Sequence, residues 1–164
     1  MRTGCHDAAV ILGDVNLAAC ASADTTNVFD IGANASPGGS LADPELLYTV
    51  QEPGSDTENC TIHNYNIVPP RSGRYVAASG NYQAGTWVTD FTDPADPVTV
   101  AWSDPPPLAP TQLGGGWSSY WYGNFVFESE ITKGLNVFRV GDPRLAGALV
   151  LGHLNPQTPE FTIG

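Results

Sequence analysis

His6, His63 and Glu130 are the side chains of this sequence whose types could do chemistry together. Two imidazoles and a carboxylate converging on one point can bind a transition metal ion such as Zn, Cu, Ni or non-haem Fe, with further ligands supplied from elsewhere. Each histidine is followed by a polar residue, Asp7 or Asn64, and Glu130 stands among apolar neighbours near a strand–turn junction. The same histidines have a structural use, bonding backbone groups and pinning the starts of strands. A dense aromatic group lies at Trp117, Tyr120, Trp121, Tyr122 and Phe125. Its two uses are packing between sheets and a stacking platform for a ligand, with Trp117, Tyr120 and Trp121 as the binding residues.

Other chemistry is excluded by its missing signatures. The sequence holds no G-x-S-x-G, no H-E-x-x-H, no P-loop and no G-x-G-x-x-G. Gly114, Gly115 and Gly116 form a plain glycine run before an aromatic strand. The Asp-Pro pairs at Asp93, Asp96, Asp104 and Asp142 lack the alternating acids of an EF-hand loop. Asp caps a turn through its own side chain and Pro fixes φ at the next position, so these pairs are turn chemistry. His153 sits in an apolar run and is assigned a structural role.

The elements that must position these residues come from an internal repeat. Three similar segments start at His6, His63 and Trp117, a period of roughly 55 residues. Each has a short apolar strand (8–12, 65–68, 119–122), a turn marked by Gly or Pro, and a second strand (17–21, 75–79, 125–129). A third strand (27–31, 86–91, 135–140) and a fourth (45–50, 98–102, 145–151) complete the unit. Runs this short, bounded by Gly, Pro, Asn and Asp, predict strands rather than helices. The one helical candidate, PRLAGALVLGHL, carries two glycines, and its place in the repeat predicts a fourth strand. Four antiparallel strands per unit is the arithmetic of a β-propeller blade. The expected fold is therefore all-β: a partial β-propeller of three four-stranded blades at 5–54, 61–107 and 114–155, with a tail at 156–164. Three blades cannot close a ring, so the chain reads as the last blades of a six- to eight-bladed protein, or as one that oligomerises. A three-unit β-prism or sandwich is the alternative. Matching blade positions lie at one height about the axis, which places His6, His63 and Trp117 on one rim of the channel.

Composition sets the outer limits. The chain has 164 residues, enough for one domain. Six basic and 17 acidic residues give a net charge of -11, which repels phosphate backbones and anionic lipid heads. Nucleic acid is excluded as a partner on that ground. Hydrophobic residues make up 41%, which supports a core despite the charge. Gly 18 and Pro 14 cut the chain into short pieces. No apolar run is long enough to span a membrane, and the run at 8–12 is too short for an export signal. Cys5, Cys20 and Cys60 match no paired zinc spacing and permit one disulfide, with Cys5–Cys20 the expected bridge and free buried thiols the other reading.

The stretches ENCTIHNYNIVP, TWVTDFTDPADPVTVAW and GGGWSSYWYGNFVFESEITKGLNVFRV resemble the LVIVD-repeat family of secreted and cell-surface β-propellers of bacteria and archaea. The opening GCHDAAVILGDVNLAAC and the closing HLNPQTPE are similar to parts of the same proteins, so the resemblance covers about 4–160. It implies an extracellular or cell-envelope location and no settled activity. The segment 31–59 is short by comparison and removes the expected partner of Cys60. The leading functional expectation is a non-enzymatic scaffold for protein or glycan binding. The alternative is a metal-dependent oxidoreductase or hydrolase using His6, His63 and Glu130.

Overall fold

A computed structural model describes residues 7–11, 17–22, 25–30, 45–51, 62–71, 73–108 and 112–150. Within them the protein is all-β, with one turn of 3-10 helix. The first sheet holds β1 (Asp7–Ile11), β2 (Leu17–Ser22), β3 (Thr25–Asp30) and β4 (Glu45–Gln51). The second holds β5 (Asn64–Val68), β6 (Val76–Gly80), β7 (Thr86–Asp90) and β8 (Val98–Trp102). The third holds β9 (Gly116–Tyr122), β10 (Phe125–Glu130) and β11 (Gly134–Arg139). Every sheet is an antiparallel meander in which each strand pairs with the next in sequence.

Two of the ladders carry an irregularity. In the first sheet the pairing of the third and fourth strands shifts register between Val28 and Phe29. In the second sheet the same strand pair shifts between Val88 and Thr89. Each shift falls just before the strand's terminal aspartate, Asp30 or Asp90. A bulge at matching places increases local twist and bends the outer strand alike in both sheets.

The sheets meet through their first strands, with β1 against β5 and β5 against β9. Side chains stitch them: Tyr65 N donates to Asp7 Oδ2 at 2.9 Å, and Trp121 N donates to Asn66 Oδ1 at 2.7 Å. All of β6 and four of the five residues of β5 are buried, whereas β8 is half-buried or exposed throughout. A core between the second and third sheets gathers Val68, Val76, Ala78, Val88, Trp121 and Val126. Each such side chain stabilises the fold by about 1.5–3 kcal/mol through burial.

One expected element is corrected. The fourth strand of the third unit, read at 145–151, is absent over its described residues. Pro143–Leu145 instead form a 3-10 turn capped by Asp142, whose side chain accepts from Arg144 N. Pro143 carries no N–H for a ladder, and Gly147 at φ 74 turns the chain. Leu145 and Ala148, three apart, bury into the core at helical rather than strand spacing. Leu149 N then donates to Pro69 O at 2.8 Å, tying the segment to the second sheet.

Candidate functional site

The fold brings His63 and Trp117 into contact. His63 Nδ1 lies 2.8 Å from the Trp117 backbone oxygen, so this nitrogen carries the proton and donates. The two rings are in contact, centroids 3.9 Å apart and tilted by 46°, and the Tyr82 ring packs edge-on against both. His63 is buried while Trp117 remains 43% exposed. The trio is an aromatic rim at one end of the β5–β9 junction.

The backbone beneath the rim is locked. Tyr82 N donates to Gly116 O, and Gly116 N donates back to Tyr82 O, both at 2.8 Å. This single bridge fastens the β6–β7 turn of the second sheet to the start of β9. Tyr82 sits at φ 47, a left-handed conformation that costs a non-glycine residue of order 1–3 kcal/mol unless its surroundings hold it. Gly115, at φ 90, passes so close that a Cβ there would lie 2.0 Å from Tyr82 O. Gln83 Nε2 adds a bond to Gln112 O at 3.0 Å. Burial pushes the Tyr82 phenol above its ordinary value, so it stays neutral at physiological pH.

Glu130 lies at the other strand of the same corner, with Gly116 as its ladder partner. Its carboxylate accepts from Gly115 N at 2.8 Å, from the Thr132 hydroxyl and from Lys133 N. Burial alone would raise its pKa. The bonds from Thr132, Gly115 and Lys133, with the Lys133 charge, outweigh burial and hold it below the usual value. Both oxygens are engaged in closing the β10–β11 turn, which is a structural use of the residue. Among the described residues no group of three His, Cys, Asp or Glu side chains converges as a metal site would. His6, the third candidate ligand, lies outside the described residues, as do Cys5, Cys60, His153 and the tail at 156–164.

The aromatic trio expected to bind together is divided. Trp121 is 2% exposed and belongs to the core. Tyr120 is half-buried and shares the outer face of the third sheet with Phe127 opposite it. Of the three, Trp117 offers the largest open surface, beside Tyr82, a residue the sequence did not mark. Two of the four Asp-Pro pairs show the expected turn chemistry: Asp93 Oδ1 accepts from Ala95 N at 3.0 Å, and Asp142 caps its turn.

Glu128 is a further unmarked residue. Its side chain is buried between the second and third sheets. Thr86 Oγ1 donates to Oε1 at 2.8 Å and Asn136 Nδ2 to Oε2 at 2.6 Å, while Thr86 Oγ1 also meets Ser119 Oγ at 2.6 Å. Its hydrogen-bonding partners are neutral, so the carboxylate works as an acceptor that joins three strands. Above Thr86, a cleft of about 170 Å³ opens between the outer strands, walled by Val88, Ala101, Val126 and Phe138.

Fold and site together define an all-β protein of meander sheets stacked by their first strands, with an aromatic rim over a locked corner. No family model, curated protein or solved structure matches this chain. Among the described residues no helix is long and apolar enough to cross a membrane.

Proposed function

We propose that this chain forms blades of a β-propeller-type scaffold, secreted or held at the cell surface, that binds a protein or glycan partner and catalyses no reaction. The carrying observation is how His63 is used. Its Nδ1 bond to the Trp117 carbonyl and its tilted ring contact brace the indole, which stays 43% exposed. A rigid, half-exposed Trp beside a Tyr is the kind of anchor that dominates protein interfaces and also stacks on sugar rings. The engagement of Glu130 in turn bonds favours the same reading over a metal centre. The resemblance of the third unit to LVIVD-repeat proteins supports both the propeller architecture and the location.

The remainder of the ring is the occupant we propose for the outer face of the third sheet. There Phe125 and Val137 are exposed and Leu135 is 66% exposed, while the acid-bearing opposite face of β10 is buried. The middle sheet supports this, because its inner strands are covered on both faces. Glycan and protein arrays probed with wild type and Trp117→Ala test the binding reading. Binding that falls about tenfold or more in the variant, with unchanged circular dichroism, is expected. Equal binding by both, or none by wild type on either array, overturns it.

A further inference from the structure

Among the described residues the first and second sheets have four strands and the third has three. β11 therefore ends its sheet, paired on one side by β10. In an antiparallel ladder alternate residues turn both N–H and C=O away from the partner strand. Among the described residues β11 thus offers a row of unpaired backbone donors and acceptors. Neighbours that cover the faces of the third sheet, as the proposed ring would, leave this edge open.

Apolar surface flanks the edge on both faces. Leu135 and Val137 are exposed on the outer face. Phe138 is half-buried on the inner face, where a cleft of about 170 Å³ runs between β11 and β8. Its walls are Val88 and Ala101 from the second sheet and Val126, Phe138 and Val140 from the third. An apolar cavity of roughly 150 Å³ is enough for a benzene-sized group, so the cleft suits one apolar side chain of a strand laid along β11. β8 plays that part in the second sheet. It lies on β7 as the fourth strand and packs Val100 and Ala101 on the core.

The charge beside this edge is unlike that of the rest of the chain. The stretch from Gln112 to Val150 holds three acids and three bases, so the net charge of -11 lies wholly elsewhere. Its acids are all engaged: Glu128 by Thr86 and Asn136, Glu130 by its turn, and Asp142 by Arg144. Lys133 and Arg139 are exposed and make no ion pair among the described residues. They stand at the two ends of β11, a span of about 20 Å in extended chain.

We propose that the β11 edge takes up an extended segment of a partner protein as a fourth strand, with apolar residues at alternate positions and an acid at each end. Backbone pairing supplies affinity, and the cleft and the outer face select the alternating side chains. Lys133 and Arg139 select the acidic ends. The inference goes beyond the aromatic rim and stands apart from it, because Trp117 lies on β9, two strands in from this edge.

The probe is a capped heptapeptide with glutamate at both ends and alternating valine and threonine between. Exchange of the β11 amides is followed in nitrogen-15 spectra, at a concentration at which the chain sediments as a monomer. Alternate β11 amides should exchange about tenfold more slowly once the peptide stands at about tenfold its Kd. A peptide with lysine at both ends should bind about fivefold to tenfold more weakly, the order expected of two exposed charge pairs. In the double variant Lys133→Gln, Arg139→Gln the two peptides should bind alike. Two adjacent prolines at the centre of the probe remove a backbone donor whichever way the strand lies, and should abolish the protection. No protection by the glutamate peptide, equal binding of the glutamate and lysine peptides to wild type, or protection by the proline peptide overturns the inference. So does protection with no peptide present. At the monomer concentration it means that the chain covers its own edge, and where it grows with protein concentration, that a second copy does.

Discussion

Glu128 and Glu130 stand two residues apart on β10 and point to the same face, yet they do different work. Glu128 joins sheets through Thr86 and Asn136, and Glu130 closes a turn while reaching back to Gly115. The sequence FVFESE shows the alternation that puts Val126, Glu128 and Glu130 together. It does not show which face is buried, and hydrophobicity points the wrong way: the face with the acids is the covered one. Glu130 offers a test by pH. Its folded pKa is depressed from an ordinary value of 4.5, so its contribution to stability is present above that value. The contribution is lost as pH falls through the folded pKa. Wild type should therefore be more stable than Glu130→Gln in urea at pH 7, and the gap should shrink as the solution is taken to pH 3. A gap of the same size at both values would show that the charge is irrelevant.

At the scale of elements, strand positions were legible and the joints between them were not. Short runs between Gly, Pro, Asn and Asp placed eleven strands to within a few residues, because turn chemistry is local. The twelfth expected strand is absent over its described residues because a local cap signal governs the segment. Asp142-Pro143 is a cap followed by a first-turn proline, and Leu145 and Ala148 carry helical spacing. The clasp between the β6–β7 turn and β9 joins residues more than thirty apart in sequence, so no local pattern announces it. Gly115→Ala tests that clasp. The new Cβ would meet Tyr82 O at 2.0 Å and sit at φ 90. A loss of about 2 kcal/mol or more is expected, read as a lower urea midpoint at unchanged slope. A variant as stable as wild type would mean that the corner is loosely held.

At the scale of the whole molecule the third sheet exposes apolar side chains on its outer face. Leu135 and Val137, 66% and 51% exposed, lie on edge strand β11, and an uncovered apolar edge is a template for pairing. With its outer face open, the isolated chain should self-associate, giving an apparent mass that rises with concentration in sedimentation equilibrium. Val137→Lys should reduce that rise. Lysine also lowers the net negative charge, so general repulsion cannot account for the loss. A wild-type chain that stays monomeric throughout would mean that this face needs no partner.

By itself the sequence determined an all-β chain and the rhythm of its strands. Strand formation and turn closure depend on neighbours along the chain. Tertiary structure alone decided that Trp121 is interior and Trp117 open, and that the acidic face of β10 is covered. Those facts depend on what lies across the gap between sheets, and alternation along a strand carries no record of its neighbour.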